Sequence, residues 1–85
     1  MKRYRVEVRP AAIRALRKLD PKVRGRLDGA IALLAEDPRP PASRPLTGRP
    51  AYRVRVGDYR IIYTIQDDLL LVAVVTLGQR QDVYR

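Results

Sequence analysis

The strongest constraint on the fold is a two-residue break, Gly57-Asp58, between two stretches in which apolar side chains alternate with arginines. A two-residue loop with glycine first suits a type II′ turn, whose twist matches that of paired strands and which fixes their register. Counting outward from it pairs Val56 with Tyr59, Arg55 with Arg60, Val54 with Ile61, Arg53 with Ile62 and Tyr52 with Tyr63. Successive side chains on a strand point to opposite faces. Tyr52, Val54, Val56, Tyr59, Ile61 and Tyr63 therefore share the face to be buried, and Arg53, Arg55, Arg60 and Ile62 share the other.

The rest of the chain supplies partners for this hairpin. Residues 51–56, 59–65 and 69–77 read as a three-stranded antiparallel meander, with the second turn at Asp67-Asp68. If that turn also has two residues, Arg60 faces Val75, Ile62 faces Ala73 and Tyr63 faces Val72. At the N-terminus Tyr4, Val6 and Val8 alternate with Arg3, Arg5, Glu7 and Arg9, the pattern of a strand with one wet face. Pro10 suits a first helical turn, and Ala12, Ile13, Leu16 and Leu19 form one stripe of a short helix ending near Lys18. Asp20-Pro21 opens a second helix with the stripe Val23, Leu27, Ala30, Ile31 and Leu34, and Asp37-Pro38 stops it. From there to Pro50, prolines at 38, 40, 41, 45 and 50 together with Gly48 predict an extended loop, since neither a helix nor an inner strand tolerates them. One strand, two helices and three strands define an α+β fold, a helical hairpin packed on one face of a small sheet. No internal repeat is visible, and residues 1–85 are expected to form one domain.

Composition narrows the chemistry. Cysteine and histidine are absent, which removes disulfides, thiolate zinc sites and the side chain that titrates near neutrality. The net charge of +9 attracts polyanions: nucleic acid, an anionic membrane or an acidic protein. The longest apolar run, residues 69–75, is far short of the roughly 20 needed to span a bilayer, and the N-terminus lacks the apolar stretch of a signal peptide. A cytoplasmic protein with no membrane partner is expected. No GxxxxGK[ST], GxGxxG or HExxH motif occurs.

The informative feature is the opposition of Arg55 and Arg60. Directly opposed residues on paired strands have Cβ atoms about 4.5–5.5 Å apart, and like charges there destabilise the sheet. A local conflict of this kind marks a functional site, because an anion held between two guanidiniums turns repulsion into recognition, and phosphate is the obvious anion. The chain leaves its last strand through Gly78, so Gln79, Arg80 and Tyr84 emerge near the same corner, and Arg53, Arg55, Arg60 and Arg80 can converge with a ring. Tyr84 either stacks on a base or packs against the sheet edge. Arg3, Arg14, Arg24 and Arg39 read as solvated surface, and Tyr52 and Tyr63 as core. The second sheet face also carries Ile62, Leu71, Ala73 and Val75, apolar enough that something is expected to dock there.

The stretch Tyr52-Arg-Val-Arg-Val-Gly-Asp-Tyr-Arg-Ile-Ile-Tyr63, the hydrophobic strand after it and Gly78-Gln-Arg-Gln-Asp-Val-Tyr84 resemble the C-terminal half of the RelE/ParE toxin superfamily, and RelE in particular. Leu19-Asp-Pro-Lys-Val and the Asp37-Pro38 stop extend the resemblance over almost the whole chain. It implies the toxin of a type II toxin–antitoxin system, which enters the ribosomal A site and cleaves messenger RNA there. The 2′-hydroxyl attacks the adjacent phosphate and leaves a 2′,3′-cyclic phosphate, without metal or other cofactor. By the same resemblance Arg60 holds the scissile phosphate, Arg80 helps the leaving oxygen depart, Tyr84 orients the nucleotide, and Arg53 and Arg55 occupy positions where the family carries basic residues. One of those is proposed in the family as general base; arginine effectively cannot shed its proton, so Arg55 reads instead as an electrostatic partner of the phosphorane. Many relatives have histidine where this chain has Gln79. The implied partners are messenger RNA, the ribosome and a cognate acidic antitoxin that folds on binding. The shared fold also admits two other readings: a ParE-like inhibitor that binds DNA gyrase without catalysis, and a degenerate RNA-binding toxin that no longer cuts.

Overall fold

The computed structural model describes residues 3–79. Strand β1 (Arg5–Val8) is followed by helices α1 (Pro10–Arg17) and α2 (Pro21–Leu33), then by β2 (Ser43–Pro45), β3 (Tyr52–Val56), β4 (Tyr59–Gln66) and β5 (Leu71–Gln79). The five strands form one sheet in the order β1-β5-β4-β3-β2. Pairing is antiparallel throughout except that β1 lies parallel to β5. A parallel partner cannot be reached by a tight turn, so β1 is a neighbour of the last strand only because the intervening chain crosses over through the helices.

Local chemistry sets the helix starts as the sequence predicts. Pro10 and Pro21 sit in the first turns, and the Asp20 carboxylate accepts the Lys22 N–H at 3.0 Å. Helix α2 stops earlier than Asp37-Pro38: Leu34, Ala35 and Glu36 donate to Ile31, Ala32 and Leu33, the tighter three-residue spacing of a final 3-10 turn. Ala12 and Leu16 of α1 and Leu27 and Ile31 of α2 pack with Leu34 onto Val54, Ile61, Tyr63, Val72, Val74 and Leu77 of the sheet. Side chains as fully enclosed as Leu27, Ile61, Val72 and Val74 stabilise by about 1.5–3 kcal/mol each. Both helices thus cover one sheet face, the α+β arrangement expected. Among the described residues no helix is long and apolar enough to cross a membrane.

Three expectations are corrected. The proline-rich segment is not all loop: Ser43–Pro45 forms an edge strand paired with β3, which proline tolerates at the margin of a sheet. The second turn has four residues rather than two. Asp67–Leu69 make a 3-10 turn and Leu70 takes a left-handed conformation at φ 50°, where its carbonyl accepts the Arg5 N–H at 2.7 Å. Lengthening the loop by two moves Tyr63 from Val72 to Val74, which preserves the facing, and a further slip between Ile62 and Tyr63 sets Ile62 opposite Thr76 and Arg60 opposite Gly78, not Val75. That irregularity lets Val74 and Leu77, three residues apart, both reach the core, which strict alternation forbids. The third correction concerns the second face. Ile62, Leu71 and Ala73 are already buried and Val75 is half-buried, so the expected open apolar patch is not there to be covered.

Candidate nucleic-acid interface

The first hairpin has the register counted from its turn. All five pairs from Val56 with Tyr59 to Tyr52 with Tyr63 are as expected, and Gly57 has φ +60°, as a type II′ turn requires. Glycine suits that backbone conformation, and a Cβ at residue 57 would also press on a terminal guanidinium nitrogen of Arg26 on α2 at 3.3 Å, which that flexible side chain could relieve by shifting slightly. Residues closing a two-residue loop exchange both backbone hydrogen bonds, so the next pair, Arg55 with Arg60, is of the non-bonded kind in which side chains approach most closely.

Arg53, Arg55 and Arg60 lie on the sheet face opposite the helices. Arg55 is exposed and Arg53 and Arg60 are half-buried, with the Arg60 Nε fully out of water. A guanidinium whose inner nitrogen is enclosed loses little freedom when it takes up a ligand. Gly78, directly across from Arg60 on β5, contributes no side chain at that position. The edge strand, which sequence reasoning missed, adds a second like-charge opposition, Arg44 with Arg53. Its only cue in the sequence is Ser43 and Arg44 ahead of a proline that can end an edge strand. The Arg44 fork is drawn aside by the carbonyls of Pro41 and Ser43, to which it donates at 2.9 and 2.7 Å.

Arg39 is not idle surface. Its fork donates to both carboxylate oxygens of Asp67 at 3.2 and 2.9 Å, its Nε donates to the Tyr52 hydroxyl at 3.3 Å, and its guanidinium lies 5.4 Å from the Tyr52 ring centre. The Tyr4 hydroxyl donates to the same carboxylate at 2.5 Å. Hydrogen bonding to Asp67, and then to Tyr52, holds the Arg39 guanidinium above its ordinary value, and the bond to Asp67 likewise raises the Tyr4 hydroxyl. The group fastens the segment after α2 and the β4–β5 turn together at the end of the sheet away from Arg60. Tyr52 and Tyr63 are stacked at 5.9 Å as core rings, and the buried Tyr63 hydroxyl donates to the Pro38 carbonyl at 2.8 Å.

Among the described residues no three acidic side chains gather as metal donors, and neither Arg53 nor Arg55 makes an ion pair. What this face offers chemically is positive charge in fixed register. Arg80 and Tyr84, the remaining residues expected to join it, lie outside the described residues; the strand that leads to them ends at Gln79, across from Tyr59 and next to the Arg60 pair. A cavity of about 450 Å³ between α1 and the ends of β4 and β5, lined by Arg14, Lys18, Tyr59 and Leu77, lies on the helix side, away from Arg53, Arg55 and Arg60.

Comparison with known proteins gives a consistent picture. Residues 6–84 match the family described as the ParE toxin of type II toxin-antitoxin systems, parDE. The chain is 31% identical to toxin RelG of Mycobacterium tuberculosis, over 96% of this chain and 97% of that one. Its fold is similar to the crystal structure of the toxin-antitoxin complex RelBE2 from Mycobacterium tuberculosis, with a TM-score of 0.82, 28% identity and coverage of 96% and 97% of the two chains. It is also similar to the archaeal RelE-RelB complex from Pyrococcus horikoshii, with a TM-score of 0.83, 27% identity and coverage of 98% and 100%.

Proposed function

Because the chain belongs to the RelE/ParE superfamily of type II toxin–antitoxin toxins, we propose that its arginine face is the substrate surface of a ribosome-dependent endoribonuclease that cuts messenger RNA in the A site. The observation that carries this reading is the opposition of Arg55 and Arg60 on a face away from the core, with Arg53 beside them. In the reaction the 2′-oxygen attacks phosphorus, the bond to the 5′-oxygen breaks, and that oxygen leaves with a proton. The products are a 2′,3′-cyclic phosphate and a free 5′-hydroxyl.

Charge grows on the non-bridging oxygens as the phosphorane forms, and preorganised donors aimed at that charge lower the barrier most. Arg60 grips the scissile phosphate through its fork and Arg55 meets the developing charge. Arg53 holds the neighbouring backbone, Arg80 assists the leaving oxygen and Tyr84 stacks on the nucleotide. None of these arginines serves as the base, since guanidinium does not release its proton. Catalysis here rests on positioning and charge, with no metal in the proposed steps. The setting is the cytoplasm, where ribosomes are, and the partner that restrains the activity is an acidic antitoxin segment. The RelE and RelBE2 toxins of similar fold were solved in toxin–antitoxin complexes.

Primer extension on a message translated in a cell extract tests the reading. New ends within codons are expected with the wild-type chain and none with Arg60→Ala; cutting that persists in the variant rejects the assignment. A second reading draws on the matched family description, ParE: a gyrase-binding inhibitor that cuts nothing. Supercoiling by purified gyrase stays unchanged under the first reading and is inhibited under the second.

A further inference from the structure

Four arginines occur between residues 39 and 53, and two of them have structural employment. Arg39 is bound to Asp67 and Tyr52, and Arg44 to the carbonyls of Pro41 and Ser43. Arg49 and Arg53 differ: among the described residues neither makes an ion pair, and no side-chain hydrogen bond holds either fork. Both line one open cavity of about 370 Å³, together with Pro45, Leu46 and Thr47. Among the described residues no acidic side chain lines it. The space lies within the range of small-ligand sites.

The backbone fixes this cavity. Leu46 donates its N–H to the Ala51 carbonyl at 2.9 Å and Ala51 donates to the Arg49 carbonyl at 2.8 Å, while Gly48 turns the chain at φ +73°. The link between β2 and β3 is thereby closed into a compact bend that brings Thr47 and Arg49 into the lining, together with Arg53 on β3. Arg53 points to the same sheet face as Arg55, two residues along the strand, a step of roughly 6.8 Å. Through Arg53 the cavity therefore borders the sheet face that carries the arginine pair.

We propose that Thr47, Arg49 and Arg53 form a second phosphate subsite, which holds a backbone phosphate of single-stranded RNA next to the one held by Arg55 and Arg60. The assignment rests on the nuclease reading for the direction of the strand and adds to it the residues that grip the substrate outside the bond being cut. Two cations with no ion pair among the described residues, a hydroxyl donor and a lining in which no described residue is acidic suit a phosphodiester, whose oxygens accept forked donation from arginine and single bonds from threonine. An uncharged ligand would leave both guanidiniums uncompensated.

Binding of a short 2′-O-methyl RNA, which cannot be cut at its 2′ positions, tests this apart from catalysis. Each phosphate contact on a single strand contributes about 0.7 to the slope of log affinity against log salt. Arg49→Gln is expected to lower the slope by about 0.7 and the Arg49→Gln/Arg53→Gln pair by up to about 1.4, while Arg17→Gln on the exposed helix side leaves it unchanged. Arg49 is exposed and its backbone bond survives the change, so an unaltered melting temperature checks the fold. Replacing single phosphates by methylphosphonates then finds the contacted position, as the one whose neutralisation weakens wild type but not Arg49→Gln. Competition with inorganic phosphate distinguishes a site for the free ion: there millimolar phosphate would remove the Arg49-dependent part of RNA binding, and no single methylphosphonate position would matter; that result overturns the proposal. Wild-type binding with an unchanged slope in Arg49→Gln overturns the subsite and leaves the nuclease reading standing. A wild-type chain with no affinity for this RNA overturns the subsite as well, while the nuclease reading stands or falls on primer extension in the translating extract.

Discussion

Reversing one charge of the opposed pair should make the protein more stable while abolishing the proposed RNA cleavage. In Arg55→Glu a carboxylate faces Arg60 across a non-bonded position of the β3–β4 ladder. A like-charge opposition is replaced by an opposite-charge one, and each term is worth roughly 0.2–1 kcal/mol. Arg55 is exposed, so screening keeps both near the lower half of that range and the total gain is about 1 kcal/mol. For a domain of this size 1 kcal/mol corresponds to about 4–8 °C in melting temperature. Arg55→Gln, which removes the repulsion and adds no attraction, should show about half of the rise. Thermal unfolding followed by circular dichroism at low ionic strength measures the effect, and the rise should shrink greatly in 1 M salt, where the screening length falls to about 3 Å. RNA cleavage should fall away in the same variant. A melting temperature that is unchanged or lower in Arg55→Glu at low salt would refute the idea that this pair stores strain for anion binding, as would a gain that survives in 1 M salt.

Other outcomes follow from single contacts. Tyr63→Phe leaves the carbonyl of buried Pro38 without its donor and should cost about 1–3 kcal/mol by urea denaturation. Burial raises the Tyr63 hydroxyl above its ordinary value of 10.0. The folded state thus holds this proton more tightly than the unfolded chain, so its contribution is complete below about pH 10 and is lost as pH rises from there through the raised value. Urea midpoints at pH 8 and pH 11 should show that loss in wild type and a smaller one in Tyr63→Phe. Gly57→Ala forces a side chain into φ +60° and against Arg26, so it should cost about 1 kcal/mol or more and reduce cleavage by disturbing the Arg55 register. Arg39→Ala removes the forked bond to Asp67 and the contact over Tyr52; because both partners are about half exposed, the cost should stay near 1 kcal/mol in a urea titration.

The division between what could be read in the chain and what could not follows the range of the forces involved. The β3–β4 hairpin was legible in full because its turn has two residues, starts with glycine and is flanked by strict alternation. Helix starts were legible at Asp20-Pro21 and Pro10 for the same local reason. The β4–β5 turn was not. Asp67 is held by Arg39 and Tyr4, 28 and 63 residues away in sequence, and Leu70 by the Arg5 N–H, so partners far along the chain chose a four-residue loop over a two-residue one. The slip at Ile62 is likewise set by packing, since it brings Leu77 onto the helices. The edge strand at Ser43–Pro45 was hidden by its prolines, and the Arg49 cavity with it.

By itself the sequence determined the opposition of Arg55 and Arg60, the placing of Arg53 on their face and the pairing of two helices with one sheet side, since each depends only on residue order and the fixed period of a strand or helix. The tertiary structure alone decided that Arg60 stands across from Gly78, that Arg39 is a structural fastener and that Arg49 shares a cavity with Arg53. Those outcomes depend on which distant groups meet, and local periodicity carries no record of such meetings.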